Sequence, residues 1–203
     1  MYRFRILAND YLSISVDAFY HVEYTGMGKP GNPDYLNVLK NTFNDFPDRK
    51  LNFAVHQLQI VLREDIPQIC RILGLDTMTV CVVPRAKAEN FYHPNQQLFR
   101  ATVQKVIREK GFVDRTDYIR RHTNTRTTHL RYPVKGYNND GPEPYPGITE
   151  ETCAISPNVK AMNILLVDDI YTPGVNIDED CINALLKMGA KTVTFYAVGT
   201  VNR

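Results

Sequence analysis

Apolar positions along the 203-residue chain change their spacing several times, and each change predicts an element. Residues 3–24 are rich in Tyr, Phe, Ile and Val, and Ala8-Asn-Asp-Tyr11 is suited to turn a hairpin between Phe4–Leu7 and Leu12–Val16. Gly, Pro and Asn crowd 25–33, so a loop is expected there, and 34–43 fit a short helix. Spacing then becomes helical: Leu51, Val55, Leu58 and Leu62, followed by Ile66, Ile69, Ile72 and Leu73. Pro67 is expected to break or restart that helix. Thr77–Pro84 is largely apolar and predicts a buried strand. Asn95–Lys110 predicts a helix with Phe99, Val103, Val106 and Ile107 on one side, stopped by Gly111.

Periodicity fades from about 112 to 148, where the chain is polar and Gly136–Gly147 is rich in Pro, Gly and Asn. A stretch this long is functional or disordered. A short strand fits Thr152–Ser156. The strongest pattern follows: strand Met162–Val167, turn 168–175, helix 176–188 with Gly189 as its C-terminal cap, and strand Thr192–Val198. Strand, helix and strand of these lengths form a βαβ unit. The predicted fold is therefore α/β, a mostly parallel sheet with helices on both faces. Residues 51–203 make the main domain, with a hood or loop at 112–150, and residues 1–50 make a small β-containing N-terminal lobe of that domain or an add-on to it.

Composition narrows the class. With 43% apolar and 23% charged residues the chain matches an ordinary globular protein, not a disordered or fibrous one. No run approaches the roughly 18 apolar residues of a membrane span, and Met-Tyr-Arg-Phe-Arg is no signal peptide, so a cytoplasmic protein is expected. Cys70, Cys81, Cys153 and Cys181 form no C-x-x-C pair; a zinc ribbon or disulfide framework is not expected, and reduced thiols are. Cys181 falls on the core side of its helix. The net charge of +2 hides a gradient. Residues 1–99 balance, 100–131 hold nine basic against three acidic groups, and 132–203 hold five against nine. A basic middle before an acidic end suggests an anion site assembled from both.

The chemistry concentrates in Asn163-Ile-Leu-Leu-Val-Asp-Asp-Ile-Tyr-Thr-Pro-Gly-Val-Asn176. Two adjacent carboxylates end a buried strand, and a Gly-containing turn leads into a helix N-terminus. Open α/β sheets bind ligands at the carboxyl ends of their strands. A helix N-terminus offers N–H groups and positive potential to a phosphate. Carboxylates there accept sugar hydroxyls or hold a divalent cation. The composite is a site for a phosphorylated sugar. A solvated turn plus a helix cap fits an acidic pair equally well. A response-regulator receiver does not, because only 34 residues follow Asp169.

The segment resembles the phosphoribosyl-diphosphate loop of type I phosphoribosyltransferases: four apolar residues, two acids, then a Thr-Gly-x-Thr-like turn. Val82-Val-Pro-Arg-Ala-Lys87 is similar to that family's diphosphate loop. Asn95-Gln96 with Ala101 resembles the helix start of the competence-protein F (ComF) branch, and 115–131 with its long loop stands in the place of the mobile hood. The likeness covers roughly 55–200. It implies that Asp168 and Asp169 bind the ribose 2′- and 3′-hydroxyls close to a Mg²⁺ that they reach through water or ligand. It implies that the backbone of Tyr171, Thr172, Pro173, Gly174, Val175 and Asn176 wraps the 5′-phosphate, and that Arg85, Ala86 and Lys87 meet the diphosphate. Asp168, Asp169, Arg85 and Lys87 would be the catalytic set. Phosphoribosyl diphosphate or a nucleotide is the implied ligand, a nucleobase or other nitrogen nucleophile the acceptor, and a homodimer the implied assembly.

The chain departs from that pattern in four places. Pro173 removes one phosphate-facing N–H. Asn176 replaces the usual Thr or Ser, although it is able to cap the helix, with Glu179 completing a capping-box-like pair. Asp178, Glu179 and Asp180 crowd the first helical turn, favouring the helix dipole but repelling phosphate unless they point to solvent. Thr172 stands where purine-salvage members carry an Asp, which disfavours hypoxanthine or guanine. The ComF-type zinc ribbon is missing, and Asn90–Pro94 replaces an expected Arg-rich stretch. His21, His56, His93, His122 and His129 show no metal spacing, and His122 and His129 are read as solvated. Thr123–Arg131 fits a substrate-closing hood better than a nucleic-acid contact, since it lacks interleaved aromatics. Three functions stay open: a Mg²⁺-dependent phosphoribosyltransferase, a non-catalytic phosphoribosyl- or nucleotide-binding regulator, and a ComF-like protein acting on DNA.

Overall fold

A computed structural model describes residues 1–128, 130, 132, 134–143, 145 and 147–201. Its elements run β1 (Tyr2–Ile6), β2 (Val16–Glu23), α1 (Asp34–Lys40), α2 (Asp48–Ile72), β3 (Thr79–Val82), α3 (Leu98–Glu109), β4 (Val113–Asp114), β5 (Ile119–Arg121), β6 (Cys153–Ile155), β7 (Asn163–Tyr171), α4 (Ile177–Lys187) and β8 (Thr192–Thr200). Six strands form one sheet in the order β1-β2-β8-β7-β3-β4, parallel except for the antiparallel edge β1. The α/β class and the mostly parallel sheet hold.

Alternation along the strands builds two cores. Val80, Val82, Leu165, Val167, Tyr196 and Val198 face the layer of α1, α2 and α3. Cys81, Ile164, Leu166, Phe195 and Ala197 face α4 and the small antiparallel pair β5–β6. Strands apolar on both faces are what a sheet covered on both sides requires. Cys181 is fully buried in this second core.

The hairpin forms with its register set by Ile6 opposite Val16. Its second strand starts only at Val16, because Asn9 Oδ1 accepts the N–H groups of Tyr11 and Leu12 and ties 8–12 into a tight turn. β2 then pairs with β8, so residues 16–23 belong to the main sheet.

Three expectations need correction. Helix α2 runs unbroken through Pro67; Leu62, Ile66, Ile69 and Cys70 around it are buried, and that packing outweighs one lost hydrogen bond. The acidic pair is not in a turn, since β7 stays extended to Tyr171 through pairing with β8 up to Thr200. Described residues after 112 carry regular structure: Val113–Asp114 joins the sheet, β5 pairs with β6, and Thr116, Ile119, Arg121, Thr125 and Thr127 are buried. Among the described residues no helix is long and apolar enough to cross a membrane.

Candidate functional site

β3 and β7 are paired neighbours whose ladder ends at Val82 opposite Val167. Beyond that point the sheet divides. β3 leads to α3 on one face, whereas β7 continues beside β8 and leads to α4 on the other. Such a switch point opens a crevice at the carboxyl ends of the strands. A cavity of about 1200 Å³, part of it open to solvent, fills it. The turn Pro84–Lys87, Gln96, Arg100, hood residues between Ile119 and Tyr137, Asp168 and Asp169 all line that space.

Because β7 remains extended through the acidic pair, the two side chains leave opposite faces of the sheet. Asp169 turns toward α1, where Lys40 Nζ lies 3.3 Å from its Oδ1. Burial pulls the Lys40 pKa down, but the charges of Asp169 and Asp168 more than offset this and hold the ammonium protonated. Asp168 turns toward α4 and shares a hydrogen bond with the Asp178 carboxyl. Burial, then the Asp169 charge, pushes Asp168 up to about 7. Burial and the Asp168 charge raise Asp178 as well, so one proton stays between the two carboxyls.

The basic side is held differently. Arg85 donates to the carbonyls of Gln96 and Lys40 and stacks 4.2 Å over the Tyr92 ring. Lys87 is 2% exposed and donates from Nζ to the Asp140 carbonyl at 2.9 Å; burial lowers its pKa. Arg121, 3% exposed, donates to the carbonyls of Arg85 (2.8 Å) and Gly147 (2.9 Å). Arg100 instead pairs with Glu89. Five basic side chains thus line the cavity against the three acids Glu89, Asp168 and Asp169. The balance favours an anion. Aromatic rings close the far side: Tyr92 and Tyr137 line it, and Phe91 and Phe43 pack edge-on to Tyr137 at 6.2 and 5.5 Å.

The turn after β7 differs from expectation. Asn176 sits in the left-handed region (φ 60°) and makes no side-chain cap. Its Nδ2 donates to the Gly174 carbonyl at 3.3 Å, and its Oδ1 accepts from Asn9 Nδ2 at 3.4 Å. Glu179 completes no capping box; its Oε1 accepts the Tyr171 hydroxyl at 2.8 Å. Nor do the first-turn acids point to solvent. All three are buried, and Asp180 Oδ2 accepts the N–H groups of Gly147 (2.6 Å) and Ile148 (2.8 Å). Among the described residues the N–H groups of Gly174, Asn176 and Ile177 have no acceptor, which leaves donors for an anion at this helix start.

The structure therefore brings Arg85, Ala86, Lys87, Asp168 and Asp169 into one cavity, while Tyr171–Asn176 lie beside it, outside its lining. Lys40, Tyr92 and Tyr137 line it too and carry no sequence signal, because each arrives from a different segment; Arg121, also in the lining, belongs to the basic 100–131 stretch. His122 is exposed and bonds Thr123 and Glu150; His129 and Arg131 lie outside the described residues. No group of three or more His, Cys, Asp or Glu among the described residues is arranged to hold a metal ion. In comparisons with known proteins, no family model matches the chain and no curated protein matches it.

Proposed function

We propose that this protein binds phosphoribosyl diphosphate and transfers the phosphoribosyl group to a nitrogen nucleophile such as a nucleobase, on a type I phosphoribosyltransferase-like framework. One observation carries the reading. The basic turn after β3 and the acidic end of β7, two motifs some eighty residues apart, face one cavity at the switch point of the sheet. Asp169 and Asp168 would take the ribose hydroxyls, and the open N–H groups of the β7–α4 turn the 5′-phosphate. Arg85, Lys87 and Arg121 would face the diphosphate. In transfer, the C1–O bond breaks with its electron pair leaving on diphosphate, and a nitrogen lone pair forms the new C1–N bond. Fixed cations aimed at the departing charge lower that barrier without reorganising. Tyr92 and Tyr137 offer flat apolar walls for a planar acceptor.

Magnesium fits in one form only. With no three-ligand group among the described residues, the two carboxylates suit an ion that arrives on the diphosphate and keeps most of its waters, as Mg²⁺ commonly does. Bound there, it would neutralise diphosphate charge; Asp168 and Asp169 would be the residues nearest to it.

Calorimetric titration with phosphoribosyl diphosphate tests the site. Wild type should bind saturably and Asp168→Asn/Asp169→Asn should not; equal binding by both removes the assignment. Release of diphosphate with a panel of bases then separates transfer from binding alone. Saturable binding without release favours the regulatory reading, which Pro173 and the Asp168–Asp178 contact support. The DNA-handling reading has less to stand on, because Thr125 and Thr127 are buried against the cavity.

A further inference from the structure

We propose that Lys40 is the resident counter-cation of this site and lets the cavity hold phosphoribosyl diphosphate without a divalent ion. This assignment rests on the phosphoribosyl reading and adds to it a residue from outside both strand-end turns.

Lys40 ends α1, and the backbone around it is fixed from several sides. Asn41 adopts a left-handed conformation (φ 39°) while fully buried, a conformation that asparagine reaches more readily than other non-glycine residues. Gln96 imposes it by donating from Nε2 to the carbonyls of Asn41 (2.8 Å) and Thr42 (3.0 Å). Arg85 donates to the Lys40 carbonyl itself at 2.5 Å. Cavity-lining residues thus hold the α1 terminus so that the Lys40 ammonium reaches the cavity and meets Asp169.

The consequence is chemical. A divalent ion at a phosphoribosyl site offsets diphosphate charge and links it to the acidic strand end. An ammonium has three donors. With one on Asp169, two are left for anionic oxygens, so Lys40 joins the same partners that a metal would join. Arg85, Lys87 and Arg121 add charge that neutral carbonyls leave uncancelled. Asp168, by contrast, is occupied by the Asp178 carboxyl and offers the poorer metal ligand.

A tether of α1 to β7 would use the same ion pair, and calorimetry in two buffers tells the alternatives apart. Phosphoribosyl diphosphate is titrated with excess EDTA and with excess Mg²⁺. Wild type should show affinities within about threefold of each other. Lys40→Met should lose about tenfold or more in EDTA, the size of one charge-assisted hydrogen bond, and regain much of it in Mg²⁺. Lys40→Arg should keep the wild-type ratio. Should Lys40→Met lose its folded circular-dichroism spectrum, Lys40→Gln carries the same prediction. Wild-type binding that requires Mg²⁺ overturns the inference alone, as does a Lys40→Met loss equal in both buffers. No wild-type binding in either buffer overturns the phosphoribosyl reading as well.

Discussion

On the basic side of the cavity, Arg85, Lys87 and Arg121 are anchored by backbone carbonyls of Lys40, Gln96, Asp140 and Gly147 and, for Arg121, by that of Arg85. On the acidic side, Asp168 meets a carboxyl, Glu179 a tyrosine hydroxyl and Asp180 two amide N–H groups. Carbonyl anchors fix a cation without cancelling its charge. A shared proton removes charge, and hydrogen-bonded acids in α4 are turned away from the cavity. The difference explains how a site whose sequence is rich in acids still presents positive potential. The acids that would repel a phosphate are tied to the hood and the β7 strand instead.

Breaking a basic anchor should have the largest effect. Arg121→Met leaves the buried Arg85 carbonyl without its donor and the Gly147 carbonyl with only Thr152 and Cys153, and should cost about 3 kcal/mol in urea unfolding, the usual scale for two lost hydrogen bonds to a charged group. A cost below about 1 kcal/mol would show that water replaces the guanidinium. Breaking the acidic anchor of the hood comes next. Asp180→Ala should cost about 2 kcal/mol and speed amide exchange at Gly147 and Ile148, whose N–H groups it orphans.

The shared proton gives a pH signature. Asp168 is raised from 3.8 to about 7, so the folded state binds the extra proton between those values. The Asp168 contribution to stability should therefore be full below about pH 4 and be lost as pH rises through about 7. Roughly 1–2 kcal/mol is expected, below what the full shift would give, because Asp168 keeps partial contact with solvent. Thermal melts across pH 4–8 check the slope, and Asp169→Asn, which removes the charge that helps to raise Asp168, should reduce it.

Much of this architecture was legible. The βαβ unit, the hairpin, the α3 stop at Gly111 and the buried Cys181 all follow from local spacing, and each is a short-range property of the chain. Asp168, Asp169, Arg85 and Lys87 were legible as chemistry at strand ends, and the cavity brings them together. What escaped depends on distant partners. Pro67 reads as a breaker until Leu62, Ile66 and Ile69 are known to be packed around it. The polarity of 112–148 reads as a loose loop, yet Thr116, Arg121, Thr125 and Thr127 are buried with their polar groups bonded to Asp114, to backbone carbonyls, and to Tyr137 and Asn139. Lys40 carries no signal at all, since its significance lies in an aspartate 129 positions later.

Asn176 offers the finest test of the acidic side, because its two readings order the same substitutions oppositely. As a side-chain cap it would tolerate Ser, an equally good capper, and lose a few tenths of a kcal/mol to Gly. As a left-handed residue with no cap bond it should behave differently. Glycine adopts φ 60° without a Cβ penalty, so Asn176→Gly should stay within about 0.5 kcal/mol of wild type despite losing the bonds to Gly174 and Asn9. Asn176→Ser should cost about 1 kcal/mol, since Ser visits that region less readily than Asn. The ordering matters more than either value. If Ser is tolerated better than Gly, the turn caps α4 through its side chain. If Gly is tolerated better, the turn is shaped by backbone alone, and its open N–H groups at Gly174, Asn176 and Ile177 stay free to meet an anion.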